Sequence, residues 1–127
     1  MSAFLTKLWL EHVDGRDWVV AAPLWYRSDL LRGVVGVKAG TDTDLASVPW
    51  LFRRVVPKSG KYNPATVVHD AGYNGKLVTE DGQRINLIKP LCDRLFLEAM
   101  LVSGVNGWLA RRMYMVVARF GKKKDGV

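Results

Sequence analysis

The chain changes its grammar near Pro49, and that change constrains the fold more than any other feature. Before it, apolar residues come in short alternating runs; after it, they recur at helical spacing. "AFLTKLWLEHV" alternates imperfectly through Phe4, Leu8 and Leu10. "DGRD" (Asp14 to Asp17) then supplies a turn before "WVVAAPLWYR". The valine-rich "GVVGVKAG", flanked by glycines, suits a third short strand. Pro23 fits an edge or a bulge, because it has no amide to give a sheet centre. These runs are expected to form a small antiparallel sheet.

About four helices should follow and pack on that sheet. "PWLFRRVV" opens with a proline suited to the first helical position and stops before Pro57. In "NPATVVHDAGYNG", Asn63 caps, Pro64 follows it, and Asn74-Gly75 provide a left-handed stop. "LVTEDGQRI" centres on Asp81-Gly82, a tight-turn signal. "KPLCDRLFLEAMLVS" carries Leu91, Leu95, Ala99 and Val102 on one stripe and ends at Gly104. "NGWLARRMYMVVARF" carries Leu109, Met113, Val116 and Phe120 and ends at Gly121. Strands first and helices afterwards make an α+β domain, here residues 1–121, with 122–127 as a basic flexible tail.

At 127 residues, 49% of them hydrophobic, the chain can bury roughly two-thirds of its unfolded surface in one core without covalent staples. The single cysteine, Cys92, excludes an internal disulfide and a cysteine-based zinc knuckle. Lys7 and Glu11 interrupt the N-terminal apolar stretch, so it does not read as a signal peptide. No run approaches the ~18 uncharged apolar residues that a membrane span needs. The formal charge of +7 favours acidic partners, but the excess is scattered over Arg53/Arg54, Lys58/Lys61, Arg111/Arg112/Arg119 and "GKKKDGV". No RNA-recognition, zinc-finger or phosphate-loop signature accompanies it, so any nucleic-acid binding should be independent of sequence.

Two polar islands remain. In "TDLASVP" (Thr43 to Pro49), Asp44 can accept from the amides of Ala46 and Ser47 as the chain swings from strand to helix. In "HDAGY" (His69 to Tyr73), His69 and Tyr73 lie four apart on one helix face, with Thr66 three before His69. Asp70 points about 100° away from His69. Asp44, Asp70 and Asp93 are the acids that can meet the His69 imidazole, and Asp44 and Asp93 are expected to converge on it. A carboxylate there fixes the tautomer and raises basicity, as a general base or metal ligand requires. The only other histidine, His12, sits in a strand-like segment and is expected to be exposed. One histidine among aspartates is a poor zinc set; oxygen-rich clusters suit magnesium, manganese or calcium.

With these residues in place, the chain resembles a family of small proteins common in tailed-bacteriophage and prophage genomes, the domain of unknown function numbered 1353. The resemblance rests on "TDLASVP", "HDAGY" and "CDRLFLEAMLVSGV" (Cys92 to Val105), which occur in the family's order and approximate spacing. It covers roughly residues 35 to 121, including "RRMYMVVARFG" near the end. Cys92 stands where the family usually has alanine, and "INLIKP" replaces a more polar helix start. The resemblance implies the polar set Asp44, Ser47, His69, Asp70, Tyr73 and Asp93, and a phage or prophage source, but no established reaction.

Two functions compete. One is a structural or assembly component of a tailed-phage particle, in its tail or connector region, with the polar set as a buried network holding sheet to helices. It would act with other phage structural proteins, in the host cytoplasm and then in the virion. It needs no cofactor, and Trp9, Trp25, Trp50 and Trp108 are its docking anchors unless they are ordinary core. The other is a hydrolase of peptidoglycan or another cell-envelope polymer. There His69, Asp44 and Asp93 are catalytic, Tyr73 stabilises developing charge, and a divalent metal assists.

Overall fold

The computed structural model describes residues 1–12, 18–43 and 63–123. In chain order the elements are β1 (Ala3–Phe4), β2 (Leu10–His12), β3 (Trp18–Val20), β4 (Leu24–Ser28), β5 (Gly33–Val37), β6 (Asp42–Thr43), α1 (Asn63–Tyr73), β7 (Leu77–Val78), α2 (Lys89–Val102) and α3 (Gly107–Phe120). The fold is α+β, as the order of runs implies. The strands make two antiparallel sheets rather than one: β1-β4-β5-β7 and β2-β3-β6. The described residues hold three helices; the fourth expected helix, "PWLFRRVV", and the "DGRD" turn lie outside them.

Valines and alternating apolar residues build the larger sheet. Leu24, Tyr26 and Ser28 of β4 all face inward, as the two-residue period of a strand requires. They pair with Val37, Val35 and Gly33 of β5. Between them, Trp25 lies directly opposite Gly36, and a methyl group added to Gly36 would sit 2.3 Å from the indole. Only a glycine leaves room for that ring. Trp25 is therefore a half-buried packing residue, whereas Trp9 and Trp108 are exposed and Trp50 lies outside the described residues.

The turns behave as their residues dictate. After α1, Gly75 takes a positive φ of 68° and Lys76 donates its amide to Ala71 O (2.8 Å), closing the helix. Gly82 (φ 84°) turns the chain after β7, with Thr79 N donating to Gln83 O at 2.8 Å. Asn106 caps α3, its side chain accepting from the amides of Trp108 and Leu109.

The three helices stack in sequence. α1 lies against β5, β6 and β7, α2 against α1 and strands β1 and β4, and α3 against α2. The expected stripes are rotated. On α2 the buried residues are Cys92, Asp93, Leu95, Phe96, Ala99 and Met100, while Val102 is exposed and Leu91 half-buried. α2 is covered from several sides, so its buried arc is wider than one stripe. On α3 the buried set is Leu109, Ala110, Met113 and Val117; Phe120 is exposed. At about 100° per residue the buried set centres about 40° around the helix from the expected stripe, on the side of Ala110 and Val117, which leaves Val116 half-buried at the edge of the seam.

The tie between sheet and helices is Glu98 of α2. Its Oε1 accepts from the Tyr26 hydroxyl and the Ser28 hydroxyl, each at 2.7 Å, and its Oε2 accepts from the Leu30 amide at 3.0 Å. Burial, then the Glu98 carboxylate, pushes the Tyr26 hydroxyl far above its ordinary range, so it remains a donor. Replacing Glu98 with alanine leaves the fully buried Tyr26 hydroxyl without its acceptor. The expected loss is about 2–3 kcal/mol, read as a lower urea midpoint, while Glu80→Ala in the exposed turn should stay within about 0.5 kcal/mol.

Candidate functional site

The polar centre is assembled by helix spacing. His69 and Tyr73, four apart on α1, turn one face toward α2, where Asp93 sits in the first turns. His69 Nε2 lies 2.8 Å from Asp93 Oδ1, and the Tyr73 hydroxyl donates to the same oxygen. The other oxygen, Oδ2, accepts from Lys89 Nζ at 2.8 Å. Lys89 is four residues before Asp93, and its ammonium also donates to Val117 O (3.0 Å) and Ala118 O (2.9 Å) in the last turn of α3. Three donors thus meet three acceptors, and the lysine closes the C-terminal carbonyls of a neighbouring helix.

The rings pack as tightly as the charges pair. The His69 imidazole stacks on Phe96, with centroids 4.5 Å apart, and meets the Tyr73 ring at 4.1 Å. His69 and Asp93 are each 1% exposed. Two close approaches let this happen. Gly72 of α1 faces the Cys92 thiol, where an added methyl would sit 3.1 Å from Sγ; Gly121 lies so near Tyr73 that an added methyl would be 2.5 Å from its hydroxyl.

Burial by itself would raise the Asp93 pKa, but the bonds from His69, Lys89 and Tyr73 outweigh it and hold the carboxyl below its usual value. Burial is also the main reason that the His69 pKa falls below 6.5, with the Lys89 charge helping and the Asp93 contact opposing. His69 is therefore neutral near pH 7. Because an ionised carboxylate only accepts, Nε2 carries the hydrogen and Nδ1 is a bare acceptor. Nδ1 is buried and has no hydrogen-bond partner among the described residues. Burial and Asp93 raise the Tyr73 hydroxyl far above its ordinary range, and burial pushes the Cys92 thiol up to about 11, which keeps it an unreactive thiol.

Of the expected set, His69, Tyr73 and Asp93 come together. Asp70 turns elsewhere: its Oδ1 accepts from Asn74 Nδ2 at 3.2 Å, a contact separate from the Asp93 centre. Asp44 and Ser47 lie outside the described residues, so the expected convergence on His69 is seen for Asp93. The cluster's described contacts join helix to helix, while Asp44, expected to link it to the strand side, lies outside the described residues; Glu98 joins the sheet. Lys89 is the member that sequence reading missed. Its signal was the four-residue spacing to Asp93 inside "KPLCD", hidden because "INLIKP" reads as an unremarkable helix start. Among the described residues no group of three or more histidines, cysteines, aspartates or glutamates is placed to hold a metal ion. No helix among them is long and apolar enough to cross a membrane.

Removing the Asp93 carboxylate strands a buried imidazole and an ammonium. Asp93→Ala should cost about 3–5 kcal/mol in urea unfolding, against about 1 kcal/mol for Tyr73→Phe. Acid should also weaken the fold. The folded pKa of His69 lies below its unfolded value, so its contribution is whole above about pH 6.5 and declines as pH falls below that. Asp93, also depressed, adds a further loss as pH falls below about 3.8. The urea midpoint should therefore drop between pH 7 and pH 5, and His69→Gln should flatten that slope.

Comparison with known proteins places this geometry in a family. An uncharacterized protein of Sinorhizobium fredii (strain NBRC 101917 / NGR234), y4jT, is 34% identical over 87 residues. That match covers 67% of this chain and 23% of y4jT, so the chain spans under a quarter of that relative's length. No solved structure matches. The pattern of the protein family of unknown function DUF1353 matches residues 18–117, a span that contains β3 to β7, α1, α2, the His69–Asp93 pair and most of α3. The chain belongs to the DUF1353 family.

Proposed function

We propose that the protein is a small structural or assembly component of a tailed-phage particle, acting in its tail or connector region. The buried cluster in this reading fixes the helices against one another. The observation that carries it is the sealing of His69 and Asp93, each 1% exposed, in a network that uses every donor of Lys89. A general base must come within hydrogen-bond reach of its substrate, or one water away. A buried network whose every donor has an acceptor instead favours one packing. The phage setting is supported by the order of "TDLASVP", "HDAGY" and "CDRLFLEAM", which resembles a family common in tailed-phage genomes. Other virion proteins are then the partners, first in the host cytoplasm and afterwards in the particle.

The hydrolase reading has one observation in its favour, the unpaired Nδ1 of His69. With Nε2–H directed at Asp93, that nitrogen has the protonation state of a general base or of a ligand to a metal.

Two measurements separate these readings. Quantitative mass spectrometry of purified phage particles and of their assembly intermediates should find the polypeptide at a fixed copy number; absence from both rejects the assembly role. The purified protein should leave a peptidoglycan suspension turbid, with and without magnesium or manganese. Clearing that a folded His69→Gln variant loses would establish the hydrolase instead.

A further inference from the structure

α3 presents a second face that the core does not use. Leu109, Ala110, Met113 and Val117 pack inward. On the opposite side, Trp108, Arg111, Arg112, Met115 and Arg119 fall within roughly 60° of one line at about 100° per residue. Trp108 is 65% and Met115 59% exposed, and all three arginines are exposed. The Arg112 guanidinium lies 5.2 Å from the Trp108 ring centroid. None of the three arginines has an acidic partner among the described residues; Arg111 donates to Gly107 O (3.2 Å). From Ala99 to Lys124 the sequence holds six lysines and arginines and no aspartate or glutamate.

We infer that this face of α3 binds single-stranded nucleic acid without sequence preference, the arginines contacting phosphates and Trp108 stacking on a base. Charge complementarity selects an anionic partner, and the mixture of residues selects among anionic partners. A helix lying on a bilayer keeps its apolar side free of charge. Here the charge-free apolar side of α3 is already against α2, and the outward side interleaves guanidinium with indole. That interleaving is what a strand with phosphates and unpaired base faces requires. Guanidinium is also the better fork for phosphate oxygens than ammonium. The surface is independent of what the Asp93 cluster does.

The test is fluorescence anisotropy of a fluorescein-labelled 20-nucleotide oligo(dT) titrated with the full chain at several salt concentrations. A 20-base-pair duplex and phosphatidylserine/phosphatidylcholine vesicles run in parallel. Single-strand binding should weaken as salt rises, and Trp108→Ala should weaken it roughly tenfold. R111Q/R112Q/R119Q should flatten the log–log salt slope by about 2, near 0.7 per phosphate contact. All these positions are exposed, and melting curves matching the wild type confirm that the variants fold. The proposal is overturned if the wild type does not bind at about 50 mM salt, if either variant binds as the wild type does, or if duplex or vesicles bind more tightly than the single strand.

Discussion

A carboxylate buried among three helices is the constraint on which the rest of this structure depends. Asp93 is ionised and almost wholly withdrawn from water, a state tolerated only when the charge is paired and hydrogen-bonded. α1 supplies the imidazole and the phenol, the first turn of α2 supplies the ammonium, and that ammonium extends to the end of α3. The net stability of such a set against an apolar equivalent is small, because desolvation offsets attraction. What the set contributes is register: the three helices must sit as they do for its donors to reach their acceptors.

α2 carries a second multiply bonded carboxylate, the half-buried Glu98. Glu98 is five residues after Asp93, about 140° around the helix, and so faces the sheet while Asp93 faces α1 and reaches α3 through Lys89. One helix is therefore clamped by a charge on each side, to strand β4 in one direction and to its neighbouring helices in the other. Apolar packing around Phe96, Leu95 and Met100 fills the space between the clamps but is less directional. The same helix brings Cys92 against Gly72, so the close approach of α1 that places His69 over Asp93 has a steric cause in two small residues.

Much of this was legible in the residues. Alternation and valine content gave the strands, and glycines at 75, 82 and 104 marked turns that do adopt positive φ. The His69–Asp93 meeting followed from two polar motifs on apolar helices, since such groups need partners once buried. Lys89 and Glu98 were missed for a common reason. Each is a long charged side chain at a helix position that reads as solvated surface, and each has partners distant in sequence, the Val117 and Ala118 carbonyls for Lys89 and two strand hydroxyls for Glu98. The split into two sheets was equally hidden, because alternation tells a strand's faces but not its neighbours. The rotated stripes of α2 and α3 show a related limit: periodicity gives an apolar arc, and the number of elements packed around it sets its width.

Gly121 adds a consequence of another kind. Its amide still reaches back to Val117, yet it has no room for a side chain beside Tyr73, and Lys89 holds the carbonyls of Val117 and Ala118 in the turn before it. The outermost helix is thereby latched at its far end to the centre of the molecule. A force applied along its outward face would be carried through an ammonium to a carboxylate and from there to an imidazole, so the three helices should yield to load as a single rigid block.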